Sequence, residues 1–181
     1  VVGRENVYDY SLGNPSIPSP KEVDETVRQI LDDTDSLLIH GYTSAVGDYA
    51  TRKAISDDLN ARYGVSTVPE EFFIGCGAAP ELVSVFRALA VPGAEILAVA
   101  PYFPEYKPFA QAAGLNFRVV PPDVPEFQIK LDAVAAMLTP HTQAVLINTP
   151  NNPSGVVYTR ETYQALAAIL NKKAAEYGHP I

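Results

Sequence analysis

The sequence contains a single cysteine, Cys76, among its 181 residues. One cysteine excludes an internal disulfide framework and any zinc site built from cysteines. It is also typical of a reducing compartment, so we expect a cytoplasmic protein. A long apolar segment is missing too, because the longest apolar run, residues 88–100, is interrupted by Pro92, Gly93 and Glu95. Such a run is too short and too polar to span a bilayer.

Positive charge is scarce as well. The 13 Lys and Arg residues stand against 21 Asp and Glu residues, which gives a formal net charge of −8. An acidic surface repels polyphosphate, which argues against nucleic acids and anionic membranes as partners. The three histidines, His40, His141 and His179, are too far apart for a helix or hairpin metal pair. The sequence therefore predicts no metal site. It also lacks a Gly-x-Ser-x-Gly elbow and a phosphate loop ending in Gly-Lys-Ser/Thr.

The sequence does show short apolar runs that alternate with amphipathic segments of helical period. The runs predict strands at 72–74, 96–99, 117–120 and 144–147. The segments predict two helices in the first part of the chain, one capped by Ser19 and one from Gly47–Asp48 to Gly64. Four more are predicted among the strands, at 81–90, 105–113, 131–138 and after the N-cap Thr159. Strands that alternate with helices pair in parallel. We therefore predict an α/β fold with three layers, in which a mostly parallel sheet has helices on both faces and follows an extended N-terminal arm.

Three loops follow predicted strands, at the edge of a parallel sheet where ligands bind. Residues 74–81 combine small side chains with a helix start, which suits either anion binding or a simple tight turn. Residues 100–106 carry three aromatic rings, which form either a platform for a flat heterocycle or part of the core. Residues 148–155 contain three Asn, two Pro and one Gly, which suits either a rigidly held amide donor or an elaborate side-chain turn. From the residues alone, both interpretations stay open at each loop.

The Asn-rich loop carries the strongest resemblance to a known family. Residues 148–155, Asn-Thr-Pro-Asn-Asn-Pro-Ser-Gly, resemble the Asn-x-Pro-Asn-Asn-Pro-Thr-Gly signature of the class I and II aminotransferases, with Ser in place of Thr. These are the pyridoxal-phosphate enzymes of fold type I. Supporting motifs are Leu-Gly-Asn-Pro at 12–15, Tyr-Thr-x-x-x-Gly at 42–47, Arg-Lys-Ala-Ile at 52–55 and Val-Pro-Gly-Ala-Glu-Ile at 91–96. The resemblance covers essentially the whole chain.

The resemblance implies pyridoxal 5'-phosphate as the cofactor. Backbone N–H groups of Gly77, Ala78 and Ala79 would bind its phosphate at the start of the following helix, although this loop lacks the Ser or Thr that is common in the family. Phe103 would stack on the pyridine ring. Asn152, which precedes an expected cis proline bond, would donate a hydrogen bond to the ring 3'-oxygen.

The resemblance also implies roles for a second subunit, for the N-terminal arm and for a segment downstream of these residues. Tyr42 would reach the phosphate of the other subunit, which implies a homodimer, and Gly13 would lie against the substrate carboxylate. The Schiff-base lysine is expected downstream, because none of the six lysines has the family's Ser-rich context. Residues 178–181 resemble the start of another strand, so we expect a fragment that is inactive alone. Residues 1–40 would form the arm and part of a small domain, and 41–181 the first part of the large cofactor-binding domain.

The reaction implied by the resemblance is the transfer of an amino group between an amino acid and a 2-oxo acid. Three alternatives remain open from the sequence. They are a related pyridoxal-phosphate lyase, a non-catalytic module that binds a phosphorylated ligand, and a structural or dimerisation domain.

Overall fold

The structure, a computed structural model, describes residues 3, 6–8, 13 and 17–181. The chain forms two compact units, Val1–Phe73 and Ile74–Ile181, and each is described by itself. Most of the predicted N-terminal arm, including Leu12, Asn14 and Pro15 of its motif, lies outside the described residues. The arm therefore stays a prediction, and so does the division of the chain after residue 40.

The first unit is helical over its described residues. α1 spans Lys21–Asp33, α2 spans Ser36–His40, α3 spans Tyr49–Tyr63, and a turn of 3-10 helix follows at Pro69–Glu71. The helix predicted between Asp48 and Gly64 is confirmed as α3. The Asp48 carboxylate accepts a hydrogen bond from the Thr51 N–H at 2.8 Å, and Gly64 ends the helix with a left-handed φ of 65°.

The predicted cap of α1 is wrong. Ser19 does not occupy the N-cap position, because Pro20 takes it with an extended ψ of 139°, and the helix begins one residue later than expected. Pro20 makes no side-chain hydrogen bond there. The mistake arises because proline is equally compatible with the first helical position and with the extended residue before it.

The second unit contains a parallel sheet. Its elements in chain order are α4 (Ala78–Leu89), β1 (Glu95–Val99), α5 (Tyr106–Ala112), β2 (Asn116–Val120), α6 (Leu131–Met137), β3 (Thr142–Leu146) and α7 (Arg160–Tyr177). The three strands pair in parallel in the order β2-β1-β3, which places β1 in the centre. None of the helices in the described part of the chain is both long enough and apolar enough to cross a membrane.

β1 is buried on both faces of the sheet, as alternating side chains of a central strand require. Ile96 packs on one face with Phe86 of α4, where α5 also contributes to the cluster. Leu97 packs on the other face with Val134 of α6 and Leu166 of α7. The predicted α/β fold with helices on both faces of a parallel sheet is therefore confirmed. The predicted helices and three of the strands in this unit are present, with ends shifted by at most three residues.

The strand predicted at 72–74 is wrong. A strand exists only as part of a hydrogen-bonded ladder, and none of the three strands in the described residues pairs with this segment. The Phe72 N–H donates instead to the Pro69 carbonyl, which closes the 3-10 turn, and Phe73 is 56% exposed. A run of three apolar residues predicted burial, but it could not supply a neighbouring strand.

A mostly buried ion pair lies at the start of β1. Arg118 Nη1 donates to Glu95 Oε2 at 2.9 Å and to the Met137 carbonyl at 2.7 Å, and Thr139 Oγ1 donates to the same carboxylate oxygen at 2.7 Å. Burial acts to raise the pKa of Glu95, but the hydrogen bonds from Thr139 and Arg118, together with the Arg118 charge, outweigh it, so the pKa lies below its ordinary value. The charged form of Glu95 therefore joins the edge strand β2 and the end of α6 to the central strand.

We expect Glu95→Gln to lower the free energy of unfolding at pH 7 by about 1.5–3 kcal/mol, the range for hydrogen bonds to a charged group. Because the folded pKa is depressed, this stabilisation is present above the unfolded pKa of about 4.3 and is lost as the pH falls through the folded pKa. The variant and the original protein should therefore converge in acid when urea midpoints are compared from pH 7 downwards. Glu176→Gln, which removes an exposed carboxylate from the Lys173 pair, is the control and should change little. A constant difference at all pH values would contradict the assignment.

Candidate functional site

The candidate site lies at the carboxyl edge of the sheet, where two neighbouring strands send the chain to opposite faces. The loop after β1 leads to α5 on one face, and the loop after β3 leads to α7 on the other. Adjacent loops that diverge in this way leave a crevice, the usual ligand position in open parallel sheets. α4 precedes β1, and its N-terminal residues Ala78 and Ala79 line the same cavity as these two loops.

A cavity of about 190 Å³ occupies this crevice. It is lined by the start of α4, the loop after β1 with the first turns of α5, and the loop after β3. The lining residues are Ala78, Ala79, Leu82, Phe103, Tyr106, Phe109, Asn148 and Asn152. The structure thus brings together four residues that the sequence singled out from three separate loops: Ala78, Ala79, Phe103 and Asn152. A more open groove of about 420 Å³ along α7 contains none of the predicted site residues.

The N-terminus of α4 provides donors at one end of the cavity. Gly77 occupies the N-cap position with a φ of 121°, a conformation that a side chain would strain, and the cap makes no side-chain hydrogen bond. Within the described residues the N–H groups of Ala78 and Ala79 have no acceptor. Free N–H groups at the positive end of a helix dipole bind an anion. Gly77 shapes this end without lining the cavity.

Aromatic rings form a second wall. The Phe103 ring packs edge-to-face against Tyr106, with centroids 5.6 Å apart, and the Tyr106 N–H donates to the Phe103 carbonyl at 3.1 Å. Burial raises the pKa of the Tyr106 phenol above its ordinary value. Tyr102 points elsewhere, because its ring packs against Phe117 with centroids 5.2 Å apart. Of the three aromatic residues in this loop, Phe103 and Tyr106 face the cavity.

Asn152 provides an amide at the opposite loop. Its backbone N–H donates to Asn148 Oδ1 at 2.6 Å, and the Asn152–Pro153 bond is cis, as expected. The side-chain amide of Asn152 is exposed and has no hydrogen-bond partner in the part of the chain that the structure describes. It can therefore donate a hydrogen bond to a ligand in the cavity.

The neighbouring Asn151 is buried and builds the loop itself. Its Oδ1 accepts hydrogen bonds from the Ser154 N–H at 3.0 Å and from Ser154 Oγ at 2.7 Å, and its Nδ2 donates to the Pro101 carbonyl at 3.1 Å. The side-chain turn, one of the two interpretations of the Asn-rich sequence, is therefore confirmed for Asn151, and the role of Asn152 as a donor to a ligand stays a prediction. Asn151 makes a side-chain turn, whereas Asn152 presents an unpaired amide.

Two predicted residues belong to the other unit. Tyr42 is fully exposed, and Gly13 is exposed between residues that the structure does not describe. Their implied roles, toward the phosphate of a second subunit and toward the substrate carboxylate, stay predictions.

Sequence reasoning missed four of the lining residues: Leu82, Tyr106, Phe109 and Asn148. Helical spacing was the available signal for three of them, because Leu82 lies four residues after Ala78, and Tyr106 and Phe109 follow Phe103 at intervals of three. Asn148 belongs to the quoted signature, but nothing in its type separated it from the other two asparagines.

The chain matches a known family along most of its length. The model of the family "Aminotransferase class I and II" matches residues 5–175. An aspartate aminotransferase of Thermotoga maritima is 34% identical over 170 residues, which cover 93% of this chain and 44% of the relative. A probable aspartate/prephenate aminotransferase of Thermus aquaticus is 32% identical over 159 residues, which cover 87% of this chain and 40% of the relative.

Solved structures show the same similarity. An amino transferase from Eubacterium rectale superimposes with a TM-score of 0.95 at 48% identity, covering 99% of this chain and 45% of that one. The aspartate aminotransferase from Thermotoga maritima superimposes with a TM-score of 0.81 at 34% identity, covering 92% of this chain and 44% of that one. The chain thus spans less than half the length of these relatives.

Proposed function

The chain belongs to the class I and II aminotransferase family, and we propose that it supplies part of the cofactor site of an enzyme that transfers an amino group between an amino acid and a 2-oxo acid. The proposed cofactor is pyridoxal 5'-phosphate. One observation carries the proposal: three loops that are far apart in sequence line a single cavity with an anion-binding helix end, an aromatic wall and a free amide.

The chemistry of these residues fits the cofactor. A flat ring that carries a phosphate needs a non-polar face to stack on and N–H donors for its anionic groups. Phe103 supplies the face, Ala78 and Ala79 supply backbone N–H donors, and Asn152 supplies a neutral amide donor. The volume of about 190 Å³ is below the roughly 300–1,000 Å³ of complete small-molecule sites, so these residues form only part of the site.

Each side of the cavity has a distinct role in this proposal. The N-terminus of α4 binds the phosphate through backbone groups alone, because no hydroxyl is present between Gly77 and Ala79. Phe103 stacks on the ring, and Asn152 donates to the ring oxygen, favouring the deprotonated form of that oxygen. Leu82 and Phe109 keep water away from the apolar side, which strengthens these hydrogen bonds.

The bound cofactor would act as an electron sink for the substrate's α-carbon. None of the residues that line the cavity is a lysine, so we propose that the Schiff-base lysine comes from a downstream segment of the protein. We also propose a cytoplasmic homodimer in which Tyr42 reaches the phosphate of the other subunit and Gly13 lies against the substrate carboxylate.

The proposal is tested by adding pyridoxal 5'-phosphate to the purified full-length protein and recording its visible absorbance and circular dichroism. A panel of amino acids is then supplied with a 2-oxo acid, and new amino acids are quantified by chromatography. We expect cofactor binding and amino transfer. Elimination products without transfer would indicate the lyase alternative, and reversible binding without turnover would indicate a binding module. A protein that binds no cofactor would overturn the proposal.

Phe103→Ala should weaken cofactor binding by about 1–3 kcal/mol, or roughly 5- to 150-fold, because the variant loses the apolar area against which the ring packs. Dissociation constants from fluorescence titration measure the effect. Phe103→Tyr keeps the ring and is the matched control, and it should bind within a few-fold of the original protein. Equal affinity of Phe103→Ala and the original protein would remove Phe103 from the site.

Asn152→Ala should raise the pKa at which the visible absorbance of the bound cofactor titrates. The variant loses a hydrogen bond to the deprotonated ring oxygen, and a group that loses stabilisation of its deprotonated form holds its proton to higher pH. A spectrophotometric titration measures the shift, with the exposed Asn171→Ala as control. If both variants titrate like the original protein, Asn152 does not contact the cofactor.

Gly77→Ala should weaken cofactor binding by distorting the start of α4. The added Cβ meets no atom within 4 Å, so the variant is destabilised only by backbone strain at a φ of 121°. This strain lowers the free energy of unfolding by about 1–3 kcal/mol. Gly114→Ala is a matched control, since Gly114 also has a positive φ of 83° and open space around it but lies after α5, away from the cavity. Both variants should unfold at lower urea concentration, and only Gly77→Ala should lose cofactor affinity. The same affinity loss in both variants would show that general destabilisation is the cause.

A further inference from the structure

A side-chain hydrogen bond joins the two loops that diverge at the candidate site. Asn151 Nδ2, in the loop after β3, donates to the Pro101 carbonyl, in the loop after β1, across 50 residues of sequence. Asn151 is 6% exposed. Among the hydrogen bonds of the described residues, no other joins these two loops beyond the ends of the strands.

The orientation of the Asn151 amide is fixed from its other side. Two donors on Ser154, the backbone N–H and Oγ, point at Asn151 Oδ1, so the oxygen must face Ser154 and the nitrogen must face Pro101. The main chain of Asn151 is bonded as well, since its N–H donates to the Val156 carbonyl at 2.9 Å and its carbonyl accepts from the Gly155 N–H at 2.7 Å. The residue cannot turn without leaving buried polar groups unpaired.

The two ends of this bond lie next to the two walls of the cavity. Asn151 immediately precedes Asn152, and Pro101 lies two residues before Phe103. We propose that Asn151 is a positioning residue, which sets the spacing between the amide of Asn152 and the ring of Phe103, and that Ser154 holds Asn151 in the required orientation. The inference rests on the proposed function only in naming pyridoxal 5'-phosphate as the ligand that occupies the space between the two walls.

Asn151→Asp is the sharpest test, because it keeps the size of the side chain and the acceptor for Ser154 but replaces the donor with an oxygen that faces the Pro101 carbonyl. In the full-length protein we expect pyridoxal 5'-phosphate to bind between about 5- and 150-fold more weakly, the range for an unpaired buried polar group. We also expect weaker circular dichroism of the bound cofactor, a measure of how firmly the ring is held. Far-UV dichroism measured on the same samples shows that the protein is folded.

Ser154 provides an independent pair of variants. Ser154→Ala removes the hydroxyl that donates to Asn151 Oδ1 and should weaken cofactor binding in the same direction as Asn151→Asp. Ser154→Thr keeps the hydroxyl and should restore binding. Ser56→Ala is the matched control, because Ser56 Oγ also makes a buried hydrogen bond, to the Thr67 carbonyl at 2.8 Å, within the other unit. It should lower stability without changing the circular dichroism of the cofactor.

Amide hydrogen exchange measured without cofactor separates this inference from the proposed function. If Asn151 ties the loops together, exchange in Asn151→Asp should rise in peptides from both 100–106 and 148–157, whether or not the protein binds pyridoxal phosphate. Faster exchange in 148–157 alone would show that Asn151 only builds its own turn, and that result would overturn the proposal. The proposal would also be overturned if the original protein binds the cofactor and both Asn151→Asp and Ser154→Ala show the same cofactor affinity and dichroism as the original protein.

Discussion

The candidate site depends on the burial of β1 on both faces of the sheet. Ile96 and Leu97 are fully buried in opposite layers, so the chain must place helices on both sides of this strand. That requirement sends the loops after β1 and β3 to opposite faces, and the crevice between them follows from the topology. Apolar burial in the sheet therefore creates the crevice, and the residues of the loops determine how its walls are spaced and what it can bind.

Binding the phosphate of the proposed cofactor is a particular problem for a chain with a formal net charge of −8. The overall field repels phosphate, so attraction must come from groups within a few ångströms of it. None of the side chains that line the cavity is cationic, and the start of α4 is Gly-Ala-Ala without a hydroxyl. Small residues let the helix N-terminus come close, where its dipole and unpaired N–H groups act at short range. In the proposed site, the absence of side chains larger than a methyl group between Gly77 and Ala79 thus serves phosphate binding.

Local chemistry explains which parts of the structure could be predicted from the sequence. Asp48, Gly64 and Thr159 mark helix ends because each acts on its own backbone, and all three occupy the expected positions. The cap at Ser19 was wrong because proline suits two neighbouring positions at a helix start. The strand at 72–74 was wrong because a strand needs a distant partner, which a short apolar run does not reveal. Phe103 and Asn152 were expected to meet because parallel strands share one carboxyl edge. Ala78 reaches the same cavity from the N-terminus of α4, and not from the strand expected at 72–74, which is absent from the described residues. The bond from Asn151 to Pro101 joins residues 50 apart, and no spacing rule predicts it.

The three asparagines of the loop after β3 divide two tasks between them: building the loop and presenting a free amide. A single residue cannot perform both. A buried amide must pair its oxygen and its nitrogen within the protein, since an unpaired buried polar group costs about 1–3 kcal/mol. Asn151 meets this requirement, and Asn148 uses its oxygen to hold the Asn152 backbone. The Asn151 amide is thus committed to the loop at both its oxygen and its nitrogen, whereas Asn148, which also lines the cavity, commits its oxygen. Asn152 can stay unpaired because it is exposed, and its backbone is held by its neighbours. Asn152 can present a free amide because Asn148 and Asn151 make the hydrogen bonds that build the loop around it.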